Sequence, residues 1–143
     1  MSKDKKLDEL MFLLFTTKKI VWERAKSLED IDLSSALRFS TLQFVLEKKN
    51  PTMNDLAKYL RVKPPSATSL INGLVKSGFI GRKKNKNDRR IVNLHATIKG
   101  KKYFKASFLK MRENIKSIYS HLNNKEIDQL IKILKKIAYV YNK

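Results

Sequence analysis

Residues 82–90 combine six basic side chains with two asparagines and one aspartate. Lysine and arginine form charge-assisted hydrogen bonds with phosphate groups, and asparagine and aspartate favour tight turns. On either side of this segment, residues 79–82 and 91–96 alternate between apolar and other side chains, which predicts two short strands. The segment is therefore predicted to form the tip of a charged β-hairpin, a shape and charge suited to nucleic acid.

The net charge of the chain supports an anionic partner. Lysine and arginine number 32 against 13 aspartates and glutamates, a formal net charge of +19 on 143 residues. Between Arg61 and Arg90, nine basic residues accompany the single acid Asp88, which gives this segment a net charge of +8. Positive charge that is concentrated in one segment favours a binding surface for a polyanion.

The composition argues against several other classes of protein. Cysteine is absent, so disulfides and thiolate chemistry are excluded, and the apolar run Leu10 to Phe15 is too short to span a bilayer. No small-residue cleavage site follows an apolar stretch near the N-terminus, so we expect a cytoplasmic location. His95 and His121 lack partners at metal-ligand spacing, and neither a Ser/His/Asp arrangement nor a glycine-rich phosphate loop is present. We therefore expect no enzyme activity, metal or cofactor.

Two short amphipathic segments predict a helix-turn-helix. Their apolar residues recur at helical spacing, in Met53, Leu56, Ala57 and Leu60 and then in Ala67, Leu70, Ile71 and Leu74. Thr52 is expected to cap the first helix, and Pro64-Pro65 to end it by forcing Lys63 and Pro64 out of the helical conformation. A proline is expected to open the second helix and Gly78 to follow its C-terminus.

The second of these helices is predicted to enter the major groove. The side opposite its apolar stripe is polar and small, which lets short donors approach base edges. This side comprises Pro65, Ser69, Asn72, Gly73 and Lys76, with Ser66 and Thr68 at its flanks. Polar surface without a binding role is the alternative interpretation of Ser69 and Asn72.

The rest of the chain is predicted to be helical. Apolar spacing indicates a first helix from Leu7 to Ser27, a polar stretch from Leu28 to Leu37, and a helix opened by a capping box at residues 40–43. A coiled-coil seam is predicted from Phe104 to Leu122, and a last helix after Asn123-Asn124. These helices offer more apolar surface than a small lobe can cover, which favours dimerisation.

The region from Phe39 to Gly100 resembles the MarR family of bacterial and archaeal transcriptional regulators. The similarity rests on short motifs, in order Ser40-Thr41-x-Gln43, Asp55-Leu56-Ala57, Gly78-Phe79-Ile80-x-Arg82, Asp88-Arg89-Arg90 and Thr97-x-x-Gly100. This sequence departs from the family pattern at two places. Ala96 stands where a bulky aliphatic residue is usual in the family, and the double proline before Ser66 is atypical.

The resemblance implies a mainly α (α+β) fold, a winged helix-turn-helix with N- and C-terminal dimerisation helices. It places the DNA-binding lobe at residues 39–97 and the dimerisation region at 1–38 and 98–143. It also implies a homodimeric regulator, more often a repressor than an activator, that binds a palindromic double-stranded DNA operator, with a small-molecule effector as a further candidate partner. The wing would enter a minor groove, where Asp88 would orient Arg90. Aspartate in such loops also commonly caps the turn, and this second role of Asp88 is compatible with the first.

Two sets of residues follow as candidates. The DNA-binding set is Lys63, Pro65, Ser66, Thr68, Ser69, Asn72, Lys76, Arg82, Lys84, Lys86, Asp88, Arg89 and Arg90. The dimer-interface set is Leu7, Leu10, Met11, Leu14, Ile131, Leu134, Ala138 and Tyr141. The alternative is a winged-helix protein that binds RNA or serves in assembly, although RNA-binding surfaces usually display aromatic rings for stacking and this basic segment has few.

Overall fold

The computed structural model describes residues 2–26 and 33–141 and consists mainly of helices with one two-stranded sheet, as predicted. The elements are α1 Lys3–Lys26, α2 Leu33–Glu47, α3 Met53–Leu60, α4 Pro64–Lys76, β1 Ile80–Lys84, β2 Val92–Ala96, α5 Ile98–Ile118 and α6 Asn124–Tyr141. Helices α3 and α4 with the hairpin β1–β2 form the predicted winged helix-turn-helix. No helix in the described ranges combines the length and the apolar character that a membrane span requires.

One hydrophobic core joins the helix-turn-helix to the hairpin. Its fully or almost fully buried members include Leu42 of α2, Leu56 of α3, Ile71 of α4, Ile80 of β1 and Leu94 of β2. The apolar stripes predicted on α3 and α4 therefore face a common interior, and the opposite side of α4 is left in solvent. This packing fixes α4 and the wing as parts of one surface.

The hairpin pairs antiparallel, with Ile80 opposite Ala96 and Lys84 opposite Val92. A third chain segment supports it, because the Leu94 backbone N–H donates to the Pro51 carbonyl at 2.8 Å and Thr52 bridges to Asn93. The small Ala96 is buried in the core at the base of the wing.

Helix α2 begins earlier than the sequence suggested, and the predicted capping box at residues 40–43 is wrong. These residues lie inside α2, where the Thr41 hydroxyl donates to the Leu37 carbonyl at 2.7 Å and Gln43 Nε2 donates to Glu47 Oε1 at 2.9 Å. Threonine can bond to the preceding turn of its own helix, so the same residue types that cap a helix also occur within one. Residues 33–37 of the predicted polar stretch are helical, and residues 28–32 lie outside the described ranges.

Two other helix boundaries differ from the prediction. Helix α1 begins at Lys3 rather than Leu7, and Ser27, its predicted end, lies outside the described residues. Helix α5 ends at Ile118, so the predicted seam stops before Leu122. The break falls where Asn123 caps α6, since Asn123 and Glu126 exchange backbone-to-side-chain hydrogen bonds of 2.8 and 3.0 Å.

The start of α5 is fixed against the end of α4 by Thr97 and Gly100. The Thr97 hydroxyl donates to the Gly78 carbonyl and accepts the Gly100 backbone N–H at 3.0 Å. A Cβ on Gly100 would lie 2.1 Å from the carbonyl oxygen of Phe79, so only glycine fits this approach of two backbones. The Thr-x-x-Gly spacing thus has a packing explanation.

The chain divides into two compact units, Trp22–Met111 and Met1–Val21 with Arg112–Lys143. The boundary predicted after residue 38 falls inside α2, whereas the one predicted after residue 97 coincides with the start of α5. Both α1 and α6 expose large apolar side chains to solvent, with Leu14 at 60% and Leu134 at 53% of full exposure. The division into a binding lobe and a dimerisation region stays a prediction.

Candidate nucleic-acid interface

Helix α4 begins at Pro64, directly after a residue with an extended backbone. Lys63 has extended backbone angles, φ −67° and ψ 148°, and the two prolines occupy the first two helical positions, where their missing N–H groups are not needed. Lys63 is therefore excluded from the helix as predicted, but Pro64 is within it, so the prediction for Pro64 is wrong. The fixed φ of proline matches the first helical turn and outweighs the bias imposed by Pro65.

The end of α4 is set by Gly78, which has φ +79°. The Gly78 N–H donates to the Val75 carbonyl and the Phe79 N–H to the Leu74 carbonyl, at 3.0 and 2.9 Å. This pair of bonds is a Schellman motif, which satisfies the last carbonyls of a helix and reverses the chain. The reversal carries the backbone from α4 directly into β1, so the wing begins beside the helix.

All thirteen predicted DNA-binding residues are exposed, which is necessary for contact with a partner. On α4, Ala67, Ile71 and Leu74 are buried while Ser69 and Asn72 face solvent, as the helical spacing predicted. The Thr68 hydroxyl donates to the Pro64 carbonyl at 3.0 Å, so its hydrogen is already used within the helix. Thr68 can then only accept a hydrogen bond from a partner without losing this one.

Two side chains determine the shape of the wing tip. Asn85 Oδ1 accepts the backbone N–H groups of Asn87 and Asp88 at 2.8 and 3.3 Å, and Asp88 Oδ1 accepts that of Arg90 at 3.0 Å. The Asn85 N–H in turn donates to the Ile91 carbonyl at 2.9 Å, which closes the loop. These are Asx-type turns, so the capping role considered for Asp88 is observed.

The second role considered for Asp88, orientation of Arg90 through the side chain, is not formed in this structure. Within the described residues, no ion pair joins the Asp88 carboxylate to the Arg90 guanidinium, and the contact between the two residues is through the Arg90 backbone. Asp88 therefore fixes the position of the backbone at Arg90. The Arg90 side chain is exposed to solvent, as are those of Lys84, Lys86 and Arg89.

The structure brings one residue of the wing into contact with one of α4. Arg82 of β1 donates from its terminal Nη2 to Oδ1 of Asn72, and both side chains are exposed. Both residues belong to the predicted binding surface, but their contact with each other was not predicted. No local pattern could reveal it, because it depends on how the hairpin lies against the helix.

Two cations outside the predicted set hold the junction between α4 and the wing. The Arg38 guanidinium carbon lies 5.0 Å from the ring centre of Phe79 and 5.3 Å from that of Tyr103, and Lys99 Nζ lies 4.8 Å from Phe79. Lys99 also donates to the Ser77 carbonyl at 2.8 Å, at the C-terminal end of α4 where a cation is favoured. These contacts keep the aromatic ring of Phe79 within the fold and away from any nucleic acid.

Helix α3, the first helix of the helix-turn-helix, is anchored by a capping box. The Thr52 hydroxyl accepts the Asp55 N–H at 3.2 Å, and an Asp55 carboxylate oxygen accepts the Thr52 N–H at 2.9 Å. The Thr52 backbone N–H is the main cause that lowers the pKa of Asp55; burial opposes it, while the Thr52 hydroxyl, Lys48 and Lys58 add to the lowering. Thr52 thus caps α3 as predicted.

Groups of three or more carboxylate or imidazole side chains close enough to hold a metal do not occur in the described part of the chain. Two aromatic residues lie near the basic segment, and neither is on α4 or in the wing strands. Phe79 packs against Tyr103 at 5.0 Å, and Tyr59 of α3, which is 47% exposed, stacks on Phe44 at 4.6 Å. The exposed surface of α4 and the wing therefore offers hydrogen-bond donors and positive charge rather than stacking platforms.

Comparison with known proteins agrees with the fold and the motifs. The MarR family model matches residues 35–92. The HTH-type transcriptional repressor YetL of Bacillus subtilis is 24% identical over 99 residues, which cover 68% of this chain and 59% of YetL. The chain thus aligns with less than two thirds of the length of that relative.

Solved structures extend the similarity over the whole fold. A MarR family protein from Bacillus stearothermophilus superposes with a TM-score of 0.82 at 18% identity, over 100% of both chains. MepR of S. aureus in its complex with DNA gives a TM-score of 0.64 at 23% identity, over 91% of this chain and 96% of that one. The family match shows that residues 35–92 are similar to the MarR family. The two superpositions show that the chain has the same fold as these MarR-type structures.

Proposed function

We propose that the protein is a homodimeric transcriptional regulator that binds double-stranded DNA in a sequence-specific manner. The observation that carries this proposal is the single surface formed by the exposed face of α4 and the adjacent wing. This surface displays short polar side chains beside lysines and arginines, and its one acid, Asp88, is bonded to the wing backbone. Short donors can approach base edges in the major groove while the cations contact phosphates.

The charge distribution supports a nucleic-acid partner. The segment from Arg61 to Arg90 has nine basic residues and one acid, and the hairpin tip that carries most of them is held rigid by Asn85 and Asp88. A preformed tip loses little conformational entropy when it binds. A narrow minor groove concentrates negative potential and attracts arginine, so we assign Arg90 to the minor groove as the family resemblance implies.

Duplex DNA is favoured over RNA as the partner. The deep, narrow major groove of RNA helices does not admit an α-helix, and single-stranded RNA is bound through exposed aromatic rings. Here Phe79 is packed under two cations, and the partly exposed ring of Tyr59 lies on α3, where one side of it is occupied by Phe44. MepR of S. aureus, which has a similar fold, forms a complex with DNA, in agreement with the proposal.

The homodimer is supported by the exposed apolar faces of α1 and α6. Leu7, Leu10, Met11 and Leu14 on α1 are each at least half exposed, as are Leu134 and Ile137 on α6. Apolar patches of this kind usually mark an interface, and a second copy of the chain would cover the same faces symmetrically. We further propose repression as the mode of regulation, because the relative YetL is named a repressor, and we propose a small-molecule effector because the family resemblance implies one.

Selection of bound sites from random duplex DNA tests this function. We expect a palindromic sequence whose half-sites are separated by about one helical turn, because a two-fold dimer places two α4 helices in successive major grooves. Binding of the selected duplex should also exceed binding of the matching RNA duplex and of the single strands. Recovery of unrelated sequences, or equal affinity for RNA, would contradict the proposal.

A further inference from the structure

We propose that Asn72 and Arg82 act together as a unit that directs hydrogen-bond donors outward and selects a guanine through its major-groove edge. The inference rests on the proposed function and adds to it the base that this part of the surface recognises. It starts from the contact between Arg82 Nη2 and Asn72 Oδ1, which ties the wing to the exposed face of α4.

The contact fixes which end of the Asn72 amide is available to a partner. A guanidinium carries five N–H donors and no acceptor, so only the amide oxygen of Asn72 can face it. The amide NH₂ is then directed away from Arg82. The remaining N–H groups of Arg82 are also donors, so the exposed pair presents donors at both of its members.

The four bases differ in what they offer to such a pair. In the major groove, guanine presents two adjacent acceptors, N7 and O6, whereas adenine presents the acceptor N7 beside the donor N6. Asparagine usually recognises adenine by accepting from N6 with its oxygen and donating to N7 with its NH₂. In this protein the oxygen of Asn72 is turned toward Arg82 and its NH₂ away from it, so the outward-facing donors match the two acceptors of guanine better than the mixed edge of adenine.

Gly73, the next residue, provides room for this approach. A Cβ added to Gly73 would meet nothing within 4 Å, and the residue does not have the positive φ that favours glycine. Neither internal packing nor backbone conformation requires glycine here, and glycine destabilises a helix interior relative to alanine. The absent side chain therefore serves contact from outside the molecule, on the face that carries Asn72.

The test uses the selected operator with single changes at each guanine of the half-site. At one guanine, replacement by adenine or by 7-deazaguanine, which lacks the N7 acceptor, should weaken binding of the unaltered protein by roughly tenfold. Inosine, which keeps N7 and O6, should bind as guanine does at that position. This arm needs no protein variant, so it does not depend on folding of a mutant.

Protein variants then assign the effect to the pair. Asn72→Ala should lose discrimination at that position alone, and Arg82→Lys, which keeps the charge but not the planar fork, should relax the same preference. Asn54→Ala, a change at an exposed asparagine of α3 outside the proposed surface, should keep it. Gly73→Ala should bind every sequence more weakly although it melts at a higher temperature.

The outcomes separate this inference from the function on which it rests. A selected operator whose guanines all tolerate 7-deazaguanine, or an Asn72→Ala protein with unchanged preferences, would overturn the inference and leave the proposed function standing. Adenine as the preferred base opposite Asn72 would do the same. Failure to select any sequence would overturn both.

Discussion

At the scale of single residues, the two glycines inside helices have opposite roles. Gly100→Ala should destabilise the protein by about 1–3 kcal/mol, since the new Cβ would overlap the Phe79 carbonyl and force two backbones apart. Gly73→Ala is the matched control, in which we expect a gain of about 0.5–1 kcal/mol from helix propensity. Thermal denaturation of both variants checks the prediction. Equal changes in melting temperature would show that the approach of α5 to Phe79 is not tight.

Residues of the wing tip should separate specific binding from general attraction. Arg90→Ala should weaken binding to the selected operator strongly, because it removes the side chain assigned to the minor groove. Asp88→Ala should weaken it less, since it disturbs the turn that places Arg90 but leaves the guanidinium. Gel-shift titrations measure both affinities, and unchanged values for both variants would exclude the wing from recognition.

A lysine at the wing tip provides the comparison for these variants. Lys86→Ala should weaken all duplex sequences alike and reduce the slope of log affinity against log salt by about one, as expected for one lost phosphate contact. Lys110→Ala, an exposed lysine on α5 outside the proposed surface, should leave both quantities as they are. A sequence-dependent loss in Lys86→Ala would assign that residue to base recognition instead.

At the scale of elements, the capping box of α3 should make the stability of the helix-turn-helix depend on pH. The pKa of Asp55 is lowered in the folded state mainly by the Thr52 N–H, so its carboxylate stabilises the fold above the ordinary aspartate value of 3.8. This contribution is lost as the pH falls through the lowered pKa. Asp55→Ala should therefore be less stable than the unaltered protein near pH 7, and the difference should shrink below about pH 4.

Urea denaturation of both proteins between pH 7 and pH 3 measures that difference. Thr52→Ala is a second variant that breaks the same box, with an expected cost of about 1 kcal/mol at neutral pH. The loss of stability in Thr52→Ala, relative to the unaltered protein, should persist at acidic pH to the extent that the Thr52 hydroxyl acts independently of the Asp55 charge. A deficit in Asp55→Ala that is constant over the whole pH range would contradict the electrostatic origin.

At the scale of the whole molecule, the exposed faces of α1 and α6 predict a dimer that single charges can disrupt. Leu10→Asp and Leu134→Asp place a carboxylate in an apolar interface, where an unpaired buried charge is costly, and each should shift the protein toward monomer in sedimentation at micromolar concentration. Ile98→Asp, at a side chain that is 74% exposed and is not one of the eight residues of the dimer-interface set, should remain dimeric. An unaltered protein that sediments as a monomer would contradict the prediction.

Tyr141, a member of the predicted dimer interface, has a side chain outside the described residues, and Ala138 is exposed on α6. The interface as a set of residues thus stays a prediction, and so do the roles of the thirteen DNA-binding candidates. Their exposure is observed, and the sedimentation and gel-shift series decide their functions.

The sequence by itself determined the features that depend on neighbours along the chain. Helical spacing identified the buried stripes of α3 and α4, alternation identified β1 and β2, and Thr52 and Gly78 marked helix ends, because each of these signals acts within a few residues. The same local rule gave the wrong result at Ser40, since serine and threonine hydrogen-bond to backbone groups both at helix starts and inside helices. A local signal cannot distinguish those two positions.

Only the tertiary structure decided how distant elements meet. Three contacts depend on the packing of α4, the wing and α5 around one core. They are the hydrogen bond of Arg82 with Asn72, the close approach of Gly100 to the Phe79 carbonyl, and the hydrogen bond from Thr97 to Gly78. Charge and residue type predicted a surface for nucleic acid. The direction in which Asn72 presents its donors follows from the position of Arg82, because hydrogen bonds between side chains require a geometry that periodicity along the chain does not specify.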